Sequence, residues 1–193
     1  MKDKQIVLPT AQEVQGELKR ERNRMRYKKI LKSTVYALII VAAISVLVAT
    51  LVLPVLQISG TSMEPTLKNG EIVVLVKTGN LKCGDLCGFY YSNKILIKRV
   101  IGLPGDAIVI DNDGNVYVNG EMLIEPYIGQ KVLGDCDLEF PYIVPEMTYF
   151  VLGDQRTSSV DSRSSVVGTI DKEDIIGRVL FRVWPLSDIG FVA

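Results

Sequence analysis

The chain has 193 residues with 22 basic and 22 acidic side chains and not one histidine, a length that holds one ordinary domain plus an appendage. Lacking imidazole, it has no route to a Ser-His-Asp triad, a Cys-His pair or a histidine-bound zinc, so any hydrolytic chemistry needs another base. The zero net charge conceals a division, with ten basic against four acidic residues in 1–58 and twelve against eighteen in 59–193, and parts so different in sign belong in different surroundings.

Residues 1–33 read as a basic, polar tail ending in KRERNRMRYKKILK, which places eight basic residues between Lys19 and Lys32. From Val35 to Ile58 no residue is charged, and the run is long enough for a helix to cross a bilayer. The spacing predicts a transmembrane helix over 34–57, with Pro54 turning the chain extended near its end. By the positive-inside rule the tail stays cytoplasmic and residues 58–193 form an extracytoplasmic domain. A cleavable signal peptide is the competing reading. Its basic region would be unusually long, its apolar core exceeds the usual length, and no convincing small-x-small site precedes Ser62. The basic cluster abuts the span and the rest is acidic, so nucleic acid is not an expected partner, whereas a lipid bilayer is.

After the span the pattern is mainly β. Short β-branched or aromatic runs fall at 71–76, 94–102, 107–110, 115–118, 148–152 and 177–184. Asn69-Gly70, Pro104-Gly105, Asp113-Gly114 and Asn119-Gly120 separate them, and IVIDNDGNVYVNG reads as a hairpin. No long amphipathic helix follows the span. The three cysteines, Cys83, Cys87 and Cys136, are an odd set that makes no complete internal disulfide framework.

Three segments carry chemistry. The first is Ser59-Gly60-Thr61-Ser62-Met63-Glu64-Pro65, directly after the span. Gly60 permits close backbone approach and Pro65 stiffens the chain, which suits an exposed serine whose own N–H is free for an oxyanion. A plain juxtamembrane linker accounts for the same residues. The second is Ile95-Leu96-Ile97-Lys98-Arg99-Val100, where Lys98 shares a strand face with Leu96 and Val100. A lysine on an apolar face tends to lose its proton, and only neutral lysine takes a proton from a serine hydroxyl. Snorkelling, or pairing with an acid such as Asp161, is the ordinary alternative. The third is the polar loop from Gly153 to Arg163, in which a hydroxyl suits orienting the lysine and an Asp161–Arg163 pair suits holding the loop. A serine-rich turn without chemical duty remains open there.

Together GTSMEPTL, IKRVIGLPGD, VNG with EPY, FVLGDQRTSSVDSR and IIGRVLFRVWPL resemble, in order, the type I signal peptidases. The resemblance implies a β-rich catalytic domain behind one transmembrane helix, acting as a serine endopeptidase on signal peptides of secretory preproteins after small-x-small sites. It implies Ser62 as nucleophile, Lys98 as general base and Ser159 as the residue orienting that lysine. Asp161, Arg163, Asp154 and Arg156 become supports, and Ile58, Gly60, Met63, Leu67 and Ile97 become the substrate groove. No metal or cofactor is implied. Gln155 departs from the asparagine usual in the family, and Gly60 from the serine that some members use as an oxyanion donor. Other Ser–Lys peptidases, such as self-cleaving repressors, lack a membrane helix, and an inactive binding module has no need of both Ser62 and Lys98.

Overall fold

The structure, a computed structural model, describes residues 11–78 and 80–192. The first ten residues of the basic tail lie outside them. The chain divides into two compact units at Ala49.

The first unit is one helix, α1, Ala11–Val52. The sequence reading places the transmembrane helix at 34–57; α1 also takes in the basic tail from Ala11 and stops at Val52. Its basic half is dominated by Lys, Arg, Glu, Gln, Leu and Met, all strong helix formers, so the helix continues through it despite Gly16. It ends before Pro54, whose ring disfavours a helical Leu53, and residues 55–57 form a strand instead. From Val35 to Val48 the helix is apolar on every face and exposed within the chain. Among the described residues it is the one helix long and apolar enough to cross a membrane. Its stretch from Val35 to Val52 spans about 27 Å at 1.5 Å per residue, close to the ~30 Å of a hydrocarbon layer.

The second unit holds twelve strands: β1 Val55–Gln57, β2 Ile72–Val76, β3 Leu86–Tyr91, β4 Lys94–Gly102, β5 Ala107–Ile110, β6 Val116–Val118, β7 Glu121–Met122, β8 Tyr142–Ile143, β9 Thr148–Leu152, β10 Ile170–Asp171, β11 Ile175–Trp184 and β12 Gly190–Phe191. The large sheet runs β1-β2-β11-β3-β4-β9-β10, with β12 on β11, and a smaller sheet runs β7-β6-β5-β8. All pairings are antiparallel. The expected hairpin is β5–β6, closing between Ile110 and Val116. Strand β3 has no counterpart in the sequence pattern, because Leu-Cys-Gly-Phe is buried on both faces and shows no alternation.

Alternation in β4 and β9 feeds two cores. Val100 and Val151 enter one with Cys87 and Phe89. Ile101, Phe150 and Leu152 enter the other, which glues the small sheet to the large one. At Gly102 the sheets touch so closely that a Cβ would lie 2.7 Å from Ile108 Cδ1.

The large sheet also curls. Over Gly88, where a Cβ would meet Leu75 at 2.6 Å, Leu56 of β1 and Ile97 of β4 converge. Among the described residues two edges face that space without partners. Strand β1 pairs only with β2 there, and β9 covers β4 only from Arg99 onward, leaving Lys94–Lys98 open on that side.

Candidate active site

Between the open edges of β1 and β4 lies a groove of about 90 Å³. Ile58, Gly60, Ser62, Met63 and Ile97 line it, joined by Leu56. Leu67, expected among them, is a correction: it has no exposed surface and packs into the apolar cluster with Val73, Leu75 and Val179. It lies four residues beyond Met63, and the Leu67 N–H donates to Met63 O at 2.9 Å, so the turn carries it inward.

Ser62 sits in a tight turn closed by the Glu64 N–H donating to Thr61 O at 3.0 Å. Among the described residues the N–H groups of Ser62 and Met63 have no acceptor, and Ser62 Oγ has no hydrogen bond. They form a pair of free donors beside a free hydroxyl, the requirement for an oxyanion site. Gly60 is not a third donor, because Asn69 Oδ1 accepts its N–H at 3.0 Å. Its φ of 103° lies in the region that favours glycine.

Lys98 is 4% exposed. None of the ion pairs among the described residues includes it. Burial, only partly countered by the charge of Asp161, lowers its pKa to about 8. Its Nζ donates to Ser159 Oγ at 2.9 Å. A serine hydroxyl can also donate once the amine is neutral, so this contact holds the lysine nitrogen in place in either protonation state.

The loop after β9 ties these parts together. Gln155 N–H donates to Ser62 O at 3.0 Å. Gly153 is wedged so tightly that a Cβ would meet Ser159 Oγ at 2.1 Å and Ser62 O at 2.7 Å. Only glycine lets the Ser62 turn and the lysine's partner approach on both sides of one residue. The loop itself is pinned by Asp161, whose carboxylate accepts from Gly153 N–H at 2.9 Å and from Arg163 Nε at 2.8 Å. Burial alone would raise the Asp161 pKa, but Arg163 and the Gly153 N–H outweigh it and hold the pKa below the usual value. Arg163 also donates to Ser159 O at 3.3 Å, linking this pair to the residue that holds Lys98.

Asp154 and Arg156 are supports with partners that sequence pattern does not reveal. Asp154 takes two hydrogen bonds from Arg99, at 2.9 and 2.7 Å. Arg156 forms a two-pronged pair with Glu125, and Tyr127 O–H donates to the same carboxylate at 3.0 Å. The Tyr127 ring lies 3.8 Å from the Arg99 guanidinium. Glu125 and Tyr127 are separated from these arginines by some thirty residues of chain, and nothing in the local sequence signals the meeting.

The cysteines take no part. Cys83, Cys87 and Cys136 are free thiols, and burial pushes Cys87 up to about 12, where it is inert.

Signal peptidase, peptidase S26, is the family that matches, over residues 29–184. Signal peptidase IB of Staphylococcus aureus (strain MRSA252) is 35% identical, with 85% of this chain and 95% of that protein covered. Signal peptidase I of Bacillus licheniformis is 36% identical over 84% of this chain and 93% of that one. A solved signal peptidase I from Enterococcus faecalis V583 shares 29% identity, covers 51% of this chain and 96% of its own, and has a TM-score of 0.42.

Proposed function

The chain belongs to the signal peptidase family, peptidase S26, and on that premise we propose that it cuts signal peptides from exported preproteins with Ser62 as nucleophile and neutral Lys98 as base. It is a serine peptidase by that membership. The observation that carries the choice of residues is Lys98: a buried lysine with no acid partner among the described residues, its pKa lowered to about 8, held by Ser159 beside the groove that Ser62 lines.

In the proposed reaction Lys98 Nζ takes the Ser62 proton, and Oγ attacks the scissile carbonyl. The tetrahedral oxyanion forms against the N–H groups of Ser62 and Met63. The protonated lysine gives its proton to the departing amine, leaving an ester on Ser62, and neutral Lys98 then activates the water that hydrolyses it. Hydrogen bonds between a general base and its target often close only when substrate arrives, which accounts for the unpaired Ser62 Oγ of the free enzyme.

Substrate binding follows from the open edges. A preprotein segment laid between β1 and Lys94–Lys98 of β4 gains backbone hydrogen bonds on both sides and extends the sheet. Alternate residues of an added strand point the same way. Side chains at −1 and −3 therefore meet one wall, and a groove of about 90 Å³ favours small ones.

We assign residues 1–33 to a cytoplasmic tail, 34–57 to the membrane anchor and its exit, and 58–193 to an extracytoplasmic catalytic domain. The apolar helix and the family support a single-pass protein. The basic flank between Lys19 and Lys32 supports this orientation.

The test is cleavage of a purified secretory precursor in detergent by the wild type, Ser62→Ala and Lys98→Ala, with products weighed by mass spectrometry. Cutting after a small-x-small site by the wild type alone is the expected result. Activity surviving in either variant would overturn the dyad.

A further inference from the structure

The nucleophile turn is gripped at both ends. At its start, Ser62 O is held by Gln155 N–H. At its far end, four residues on, stands Thr66, whose hydroxyl reaches a buried ion pair and whose carbonyl reaches a half-buried one. Thr66 Oγ1 donates to Asp154 Oδ2 at 2.5 Å and accepts from Arg99 Nη2 at 3.3 Å. Thr66 O accepts from Arg182 Nη2 at 3.0 Å, and Arg182 Nη1 donates to Glu71 at 2.9 Å.

These contacts join every segment of the site. Asp154 is the neighbour of Gln155 and Gly153, so the loop that carries Ser159 holds the turn at Ser62 and at Thr66 together. Arg99 is the neighbour of Lys98 in β4, so the strand bearing the base is fixed to the same hydroxyl. The second pair points to the same duty. Glu71 Oε2 and Arg182 Nε find no partner among the described residues. An ion pair left partly unsatisfied in the interior is weak support for the fold, but it does hold the Thr66 carbonyl.

We propose that Thr66 is a positioning residue for the peptidase reaction. Its side chain and carbonyl set the Ser62 turn against the Lys98–Ser159 pair, and Thr66 itself touches no reacting atom. This rests on the Ser62–Lys98 reading of the site. Thr66→Val keeps the shape and removes only the hydroxyl. Asp154 keeps both bonds from Arg99, so the fold has little to lose, whereas a nucleophile displaced by a fraction of an ångström loses much of its rate.

The experiment measures kcat, KM, the pH profile and thermal unfolding of the full-length wild type, Thr66→Val, Thr66→Ser and Ser62→Ala in detergent on one precursor. Thr66→Val is expected to lower kcat about tenfold or more with KM within about twofold. Its acid-limb midpoint and melting temperature should stay in place, and Thr66→Ser should recover most of the rate. Wild-type kcat in Thr66→Val would overturn the proposal. So would a kcat loss that comes with a shifted acid limb or a lowered melting temperature, since that is damage to the buried charges rather than to the position of Ser62. Cleavage by Ser62→Ala would overturn the nucleophile assignment and this inference with it.

Discussion

The basic half of α1 and the interior of the catalytic unit use the same residues under opposite rules. In α1, Arg20 pairs with Glu17 at 3.0 Å with 81% and 68% of their side chains exposed. Around the site, Arg99–Asp154, Arg156–Glu125 and Arg163–Asp161 are 2% exposed or less. On the helix only the number and sign of the charges matter, because water solvates each one. In the interior each cation must have its own carboxylate. Arginine has no alternative there, since its pKa keeps it charged. Lysine can shed its proton, and among the described residues Lys98 is the buried cation left without an acid. Pairing thus separates the three arginines from the lysine proposed as base.

The largest effect follows from removing that exception. Lys98→Met keeps the apolar stem and should abolish cleavage, a loss of about a thousandfold or more. The same variant should be more stable than the wild type at pH 7. A fall in pKa from 10.5 to about 8 means the folded state penalises the charged lysine by about 3 kcal/mol, at ~1.36 kcal/mol per pH unit. The penalty is full below pH 8, where both states are protonated. It disappears as pH rises to 10.5, because the unfolded chain is then the one holding more protons. Chemical denaturation followed through the single tryptophan, Trp184, should therefore show a stability gap between variant and wild type that closes from pH 8 to 10.5. An equal gap at every pH would refute the buried, partnerless lysine.

The converse change breaks a support. Asp161→Ala leaves Arg163, 1% exposed, charged and alone. Removing one partner of a buried pair costs about 3–5 kcal/mol, so the unfolding midpoint should fall sharply. Activity should fall as well, because Ser159 loses its frame. Unchanged stability would show that water reaches Arg163.

Next in size is the pH profile of cleavage. In the proposed reaction only neutral Lys98 serves as base, so kcat/KM should rise about tenfold per pH unit up to roughly 8 and level above it. Asp161, held below the usual carboxylate range, stays ionised throughout that window and adds no second limb. A plateau that begins near pH 6 would place the base elsewhere.

How much of this was legible in the sequence depends on distance along the chain. Lys98 on an apolar face, the Asp161–Arg163 pair and the hairpin of β5 and β6 all arise within a few residues, where periodicity and turn chemistry speak. Strand β3 was hidden because a strand buried on both faces has no alternation to read. The run of α1 through the basic tail is less plain, because that stretch carries no apolar periodicity even though its charged residues are good helix formers. Arg99, Glu125, Tyr127 and Thr66 could not be assigned partners. Arg99 meets Asp154 across 55 residues and Arg156 meets Glu125 across 31, and such meetings follow only from the curled sheet. Leu67 shows the same limit in reverse: a position beside the nucleophile does not reveal which way the turn sends its side chain.

The smallest effect tests the helix side of the comparison. Arg20→Gln and Arg163→Gln delete the same charge. Arg20 sits in water, where an exposed pair gains little and salt at 0.1 M screens beyond about 10 Å. Its loss should leave the unfolding midpoint and kcat within experimental error, and added salt should change nothing further. Arg163→Gln should destabilise strongly, and salt should not restore it, because ions do not reach a site 1% exposed. If Arg20→Gln instead lowers stability or activity, the basic half of α1 is doing more than supplying positive charge beside the span. Its partner should then be sought among acidic groups outside this chain, since Glu17 is too exposed to account for the loss.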